Sequence, residues 1–287
     1  MAVAPPPPIH WARDVFDGGS PSTLFRGSHQ LDDDTKCYGT SNPEATRRLD
    51  DDGFISVVEI EFDRGIVQVR LYWRPADNRS RILFMTKDSR RRELLYCLPL
   101  GGLRAIRKES CIQLCRASRE DGHFRLWANL NFILYERMVL FYSTFVAMKR
   151  QDNREALPVS LIEDHELRED EQFGGVVRDG GMLHALRLFC DRKSGVVRLE
   201  ASALRGPKEG VPLWTAFITR YATDPDWMAL EDDGQVSMIA LKPPPYVFLA
   251  GYKLPRNRKG EYLLQFETPD GMISSSLKLL IVIADLR

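Results

Sequence analysis

The sequence lacks the long apolar runs and paired cysteines that mark membrane-spanning proteins and disulfide-stabilised secreted proteins. No uncharged apolar run among its 287 residues reaches the roughly 20 residues that a bilayer-spanning helix needs. The first residues contain neither a basic n-region nor an apolar h-region, so we expect no secretory signal. Five cysteines, an odd and sparse set, favour reduced thiols and a location in the cytoplasm or the nucleus.

Recognisable catalytic and metal-binding motifs are also missing. The sequence contains no Gly-x-x-x-x-Gly-Lys-Ser/Thr phosphate loop and no Gly-x-Ser-x-Gly nucleophile elbow. Cys111 and Cys115 have no second Cys or His pair near them, which favours core packing over a zinc site. His184 is expected to be a surface residue or a hydrogen-bonded core residue rather than a catalyst. We therefore predict a protein that is not an enzyme and has no cofactor or metal, with an enzyme of unrecognised motif as an alternative.

Charge is distributed unevenly along the chain, although 40 basic and 40 acidic side chains cancel overall. Residues 1–52 carry a net charge of −4, residues 53–150 carry +8, residues 151–172 carry −6 and residues 173–287 carry +2. The basic segment indicates a domain that meets an anionic partner. Two alternatives stay open, in which the acidic segments fold back and mask this domain, or its charges form an ordinary solvated surface.

The pattern of apolar residues divides the chain into a tail, two modules and a linker. Residues 1–52 are rich in Pro, Gly, Ser and Asp, and we expect a disordered N-terminal tail there. Residues 53–150 contain short strands separated by polar turns, at a spacing of about 10 residues that is typical of antiparallel β-domains. Residues 151–172 contain eight carboxylates and are interpreted as an acidic linker that holds the domain boundary.

A helix is predicted after the strands of each module. Residues 135–150 place apolar side chains at helical spacing, and we expect one buried face formed by Met138, Phe141, Phe145 and Met148. Residues 272–286 near the C-terminus are interpreted in the same way, although the β-branched run 281–283 also favours a strand. The predicted fold class is mainly β (α+β), with two antiparallel β-sheet or barrel modules, each closed by a C-terminal helix.

In the first half, Gly65, Trp73, residues 79–84 and residues 95–100 form a pattern of strand positions. Together with the amphipathic helix that follows, this pattern resembles the pleckstrin-homology-like (PH-like) superfold. The resemblance is weaker in the second half, where it rests on strand and helix texture alone. It implies tandem PH-like modules at residues 53–150 and 173–287, and the superfold does not by itself select a ligand.

The resemblance also implies a ligand site in the first module. PH-like domains often carry a basic residue on the first strand and a basic-x-basic-apolar step on the second, which together clasp an inositol phosphate. Arg70, followed by Arg79, Arg81 and Ile82, matches that spacing. Converging guanidinium groups present forked donors to phosphate, so Arg70, Arg79 and Arg81 are the predicted ligand-binding residues. The alternative is that the spacing arose by chance and these arginines only keep the domain soluble.

The predicted function is that of a non-catalytic intracellular binding or adaptor protein with tandem PH-like modules. Its first module would face an anionic ligand such as a phosphoinositide or an acidic protein. The alternative is a chromatin- or histone-binding protein of tandem PH-like type, with nucleic acid or histones as partners. The expected partner is thus a protein or an anionic lipid headgroup. The expected location is the cytoplasm or the nucleus, including a peripheral position at membranes.

Overall fold

A computed structural model of the chain describes residues 9–16, 34–118, 122–152, 167–179, 181–206, 208–222, 224–231 and 235–267. These residues divide into two compact units. Unit 1 comprises the described residues up to Ile133 together with residues 144–152 and Leu167. Unit 2 comprises residues 134–143 and the described residues from Arg168 onward.

Unit 1 is built from two antiparallel sheets of four strands each. In chain order its elements are helix α1 (Ala12–Phe16), strand β1 (Lys36–Cys37), helix α2 (Ala45–Asp51) and strands β2 (Ile55–Phe62), β3 (Val67–Trp73), β4 (Ser80–Lys87), β5 (Glu93–Pro99), β6 (Leu103–Lys108), β7 (Cys111–Ala117) and β8 (Phe124–Asn131). One sheet has the strand order β2-β3-β4-β5 and the other has the order β1-β8-β7-β6.

The β2–β5 sheet has one strongly apolar face because its strands alternate with the period of two that a half-buried strand requires. Val69 and Leu71 of β3 lie opposite Phe84 and Ile82 of β4, and all four side chains are buried. The intervening residues of these strands project from the other face, and they include the predicted ligand-binding residues Arg70 and Arg81.

Part of the N-terminal segment that was predicted to be disordered is folded. Helices α1 and α2 bury apolar side chains, namely Trp11, Ala12, Val15, Ala45 and Leu49. Strand β1 pairs with β8. The prediction failed because a low apolar content does not prevent a few apolar residues at helical spacing from packing on a sheet. Residues 1–8 and 17–33 of the predicted tail lie outside the described residues.

Helix α3 (Tyr135–Gln151) confirms the first predicted helix. Met138, Phe141, Phe145 and Met148 are all completely buried, as expected. The helix is nevertheless buried on almost every side, so the expectation of a single buried face is wrong. Its residues are divided between unit 2 and unit 1, and the prediction that it closes the first module is not supported. Among the described residues, no helix has the length and apolar character needed to cross a bilayer.

Unit 2 contains an eight-stranded antiparallel sheet with the order β13-β14-β16-β9-β10-β11-β12-β15. Its strands are β9 (Asp170–Asp179), β10 (Met182–Cys190), β11 (Val197–Ala203), β12 (Pro212–Phe217), β13 (Met228–Leu230), β14 (Gln235–Met238), β15 (Tyr246–Val247) and β16 (Tyr262–Phe266). The buried rings of Trp214, Trp227 and Phe266 are among the largest side chains of its core.

The described residues are mainly β, with antiparallel sheets, as predicted. The sheets are open and do not close into barrels, because each sheet ends in two edge strands instead of joining its first strand to its last. Residues 272–286, the second predicted helix, lie outside the described residues, and so do residues 153–166 of the predicted acidic linker.

Candidate functional site

The three predicted arginines lie on or beside strands β3 and β4. Arg70 is on β3, Arg81 is on β4, and Arg79 immediately precedes β4. Tyr72 is the register partner of Arg81, and side chains two apart on a strand share a face, so Arg70 and Arg81 project from the same face. Strand β2 precedes these strands, which makes them the second and third of their sheet, whereas the resemblance implied the first and second.

Two of these arginines already face carboxylates. Arg70 Nε lies 2.8 Å from Glu59 Oε2 on the neighbouring strand β2. Arg79 Nε lies 3.4 Å from Asp77 Oδ2. Arg74 donates to both oxygens of Asp77, at 2.8 and 2.7 Å, and these hydrogen bonds hold the pKa of that carboxyl at about 2. An anionic ligand at this position must therefore compete with carboxylates of the chain itself.

Arg81 packs against an aromatic ring. Its guanidinium carbon lies 5.4 Å from the ring centroid of Phe54, and that of Arg74 lies 4.8 Å from the same centroid. Both distances are within the range of cation–π attraction. Arg81 also reaches the Cys97 thiol, whose pKa is raised mainly because the thiol is buried.

The face that carries Arg70 and Arg81 is covered at its centre by helix α2. A compact apolar cluster joins the helix to the sheet; its members are Ala45, Leu49, Phe54, Tyr72, Leu83 and Leu95. After α2, Asp52 accepts a hydrogen bond from Arg74 Nη1 through its carbonyl oxygen at 3.4 Å. Part of the predicted N-terminal tail therefore packs on the basic domain, through apolar side chains and a backbone carbonyl. Arg70 and Arg81 therefore lie on the face of the sheet against which α2 packs.

A second basic surface lies at one end of the same sheet, where two turns meet. Gln68 at the start of β3 is paired with Met85 near the end of β4. The β2–β3 turn, residues 63–66, and the β4–β5 turn, residues 88–92, are therefore at the same end of the antiparallel sheet.

These two turns expose three basic side chains and one apolar side chain. Arg64 and Ile66 lie in the first turn and Arg90 and Arg91 in the second, all of them exposed; Ile66 is 66% exposed. No carboxylate within the described ranges forms an ion pair with these three arginines. We call Arg64, Ile66, Arg90 and Arg91 the basic turn surface.

Asp88 organises the β4–β5 turn without neutralising the two arginines at its tip. Its carboxylate accepts from the backbone N–H groups of Arg90 and Arg92, at 2.8 and 2.9 Å, and from Arg92 Nε at 2.7 Å. These bonds hold the backbone of the turn in place, and Arg92 is the counterion of the Asp88 carboxylate. The predicted site residues do not include this surface, although the basic run 90–92 beside a turn-forming Asp-Ser pair is its signal in the sequence.

Comparison with protein families finds two matches that together span most of the chain. A family model described as a PH domain found in tandem in fungal proteins matches residues 42–170, and a second model with the same description matches residues 170–272. The first match includes α2 and strands β2–β8, and the second includes β9–β16. No curated protein and no solved structure matches the chain.

Proposed function

Since this chain carries two PH-like modules in tandem, of the kind found in fungal proteins, we propose that it is an adaptor whose first module binds anionic lipid. Tandem PH domains indicate a non-catalytic binding role. We further propose that the ligand is a phosphoinositide and that the protein attaches peripherally to a cytoplasmic or nuclear membrane surface. We place the boundary between the modules within residues 151–172.

The observation that carries the proposal is the basic turn surface. Three guanidinium groups that form no ion pair with any described residue lie at one end of the sheet, where they can donate charge-assisted hydrogen bonds to phosphate oxygens. Ile66, in the same turn as Arg64, supplies an exposed apolar side chain that can enter the boundary of the acyl chains, which is the composition expected of an interfacial anchor. Each basic side chain near an anionic bilayer contributes about 1 kcal/mol to binding.

The predicted residues Arg70, Arg79 and Arg81 form a second candidate set in the same module. Arg70 and Arg79 already lie next to the carboxylates of Glu59 and Asp77. A phosphate group that binds there must replace these carboxylates, so we expect it to gain less binding free energy than at the basic turn surface. Of the two paired members Arg79 is the more accessible to a ligand, since its side chain is 40% exposed and that of Arg70 is 29% exposed.

Vesicle sedimentation tests the proposal with two charge-matched double variants. Vesicles of phosphatidylcholine with and without phosphatidylinositol bisphosphate are the probe. Arg90→Glu with Arg91→Glu should weaken binding to the phosphoinositide vesicles by about 30-fold or more, the equivalent of two lost basic contacts. Lys108→Glu with Arg116→Glu is the control, because it makes the same charge change at exposed positions on the β1-β8-β7-β6 sheet. The control should keep binding to within about threefold, since distant exposed charges are screened.

The outcomes separate the two candidate sets and the two partner classes. Loss of binding in Arg79→Glu with Arg81→Glu, with Arg90 and Arg91 dispensable, would move the site to the predicted triad. Equal binding to vesicles with and without the phosphoinositide would reject headgroup recognition. Absence of any vesicle binding by the wild-type chain at low salt would overturn the lipid proposal. The same variants tested on duplex DNA and histone tails then examine the chromatin alternative.

A further inference from the structure

Unit 2 contains a small cleft that the proposed function does not use. It is a shallow depression whose space of about 270 Å³ includes open solvent and leaves room for about one water-sized group at its base. It is bordered by strands β9, β10, β12 and β16 and by the segment 252–255. Asp179, His184, Trp214, Tyr252 and Leu254 are among its lining residues. The walls are thus mainly aromatic and aliphatic, with a few polar groups, which is the usual composition of a ligand site.

His184 is the unusual polar group in this cleft. It is 3% exposed, and neither ring nitrogen has a hydrogen-bond partner among the described residues, so the expectation of a surface or hydrogen-bonded histidine is wrong. Burial lowers its pKa below the ordinary value, which keeps the imidazole neutral near pH 7. A neutral imidazole has one nitrogen that accepts and one that donates. A buried acceptor with no partner favours a ligand that brings a donor.

The other polar groups of the cleft leave a negative charge there. Burial, and then the neighbouring Asp179 carboxylate, raise the pKa of the Tyr252 hydroxyl, so these two side chains lie beside each other in the cleft. Arg178 is paired with Glu267, with Nε at 2.8 Å from Oε2, so these two charges cancel. Asp179 forms no ion pair with any described residue, and its carboxylate can accept several hydrogen bonds from a ligand.

We propose that this cleft binds the cationic side chain of a lysine or arginine from a basic peptide partner. The ammonium or guanidinium group would donate one hydrogen bond to Asp179 and one to the accepting nitrogen of His184. Its aliphatic stem would lie against the walls formed by Trp214, Tyr252 and Leu254, as such stems commonly do on apolar surface. The aromatic walls add an attraction for a cation that they do not offer to a neutral group.

Three short blocked peptides test the proposal without any substitution. Acetylated Gly-Lys-Gly amide and Gly-Arg-Gly amide are compared with Gly-Gln-Gly amide, which has similar reach and hydrogen-bonding capacity but no charge. The imidazole nitrogen resonances of His184 and the fluorescence of the chain are followed during titration. The two cationic peptides should shift the His184 resonances in a saturable way, and the neutral peptide should not.

Variants then assign the binding to named groups. Asp179→Asn should weaken binding of the cationic peptides by about tenfold or more, since it removes a charge-assisted hydrogen bond. Glu209→Gln removes a carboxylate from an exposed position elsewhere in unit 2 and should leave binding unchanged. Equal binding of the glutamine peptide would overturn the proposal in favour of a neutral hydrogen-bonding site. The absence of any shift at millimolar peptide would overturn it in favour of a cleft that holds only water.

Discussion

Glu59 on β2 and Arg70 on β3 are register partners, and the Arg70 guanidinium lies 2.8 Å from the Glu59 carboxylate. Their side chains are 43% and 29% exposed. The pair therefore sits in a solvated environment, where Coulomb attraction is weakened by water and salt. Because Arg70 already has an anionic partner, we expect it to contribute little on its own to the binding of an anionic ligand.

We expect the Glu59–Arg70 pair to contribute less than about 1 kcal/mol to the free energy of unfolding, as measured for exposed pairs. A double-mutant cycle of Glu59→Gln and Arg70→Gln, followed by urea denaturation, measures the coupling directly. A coupling energy above about 2 kcal/mol would show that the pair behaves as a buried one.

A buried ion pair in unit 2 should behave very differently. Arg198 is 2% exposed, and it donates through two nitrogens to Glu169 and through a third to Glu200 and Thr215. The Arg198→Met variant would leave buried carboxylates without their counterion, which we expect to lower the free energy of unfolding by about 3–5 kcal/mol.

Arg192→Met is the matched control for that substitution. Arg192 also pairs with a carboxylate, that of Asp170, but its side chain is 84% exposed, so a loss below about 1 kcal/mol is expected. Similar losses in the two variants would contradict the assignment of the Arg198 network to the interior.

Strand β11 shows why such networks escape prediction from sequence. Arg198 and Glu200 alternate with Leu199 and Ala201, a pattern of period two that indicates a solvated polar face. In the structure both faces of this strand are buried, and the charges are satisfied by Glu169 and Thr215 from distant parts of the sequence. Alternation identifies a strand correctly but does not reveal what covers its polar face.

The candidate sites, too, were predictable from the sequence only in part. The strands that carry Arg70 and Arg81 were predictable from the alternation of Val67, Val69 and Leu71, because that signal is local. Their carboxylate partners and the covering helix α2 depend on strand register and on tertiary packing. The basic turn surface likewise forms only because the strand register brings two separated turns to one end of the sheet. The burial of His184 without a hydrogen-bond partner among the described residues also depends on tertiary packing.

Phe145 of helix α3 gives a test of a prediction that the sequence did support. It is completely buried, so Phe145→Ala removes a large apolar side chain and leaves a cavity. We expect a loss of about 3–5 kcal/mol in the free energy of unfolding. Arg137→Ala, at an exposed position of the same helix, should change it by less than about 0.5 kcal/mol. A loss below about 1 kcal/mol for the Phe145 variant would show that the site can collapse around the cavity.

Gly39 is required by the close approach of an indole ring. A Cβ atom at this position would lie 2.5 Å from Trp127 Nε1 and 3.1 Å from Trp127 Cδ1. Trp127 is buried, so its ring has little room to move away. We expect Gly39→Ala to cost about 1–3 kcal/mol through overpacking.

Gly102→Ala provides the comparison for that variant, because a Cβ there would meet no atom within 4 Å. Its effect on urea denaturation should stay within about 0.5 kcal/mol. If the two alanine variants are equally stable, then the indole ring does not restrict position 39.

His10 should make the stability of unit 1 depend on pH. Its imidazole is buried against Trp73, with ring centroids 4.8 Å apart, and its Nδ1 accepts a hydrogen bond from the Ala12 N–H at 3.2 Å. Burial lowers its pKa from 6.5 to about 4. Because the unfolded chain binds this proton first as the pH falls, the contribution of His10 is complete above pH 6.5 and is lost between 6.5 and about 4.

The size of that loss can be isolated with a substitution that keeps an acceptor but does not titrate. The pKa difference corresponds to a loss of up to about 3 kcal/mol over this interval. His10→Gln should therefore reduce the pH dependence of the free energy of unfolding, measured by urea denaturation at a series of pH values. Identical pH profiles for the wild type and His10→Gln would show that the imidazole is protonated as readily in the folded chain as in the unfolded one.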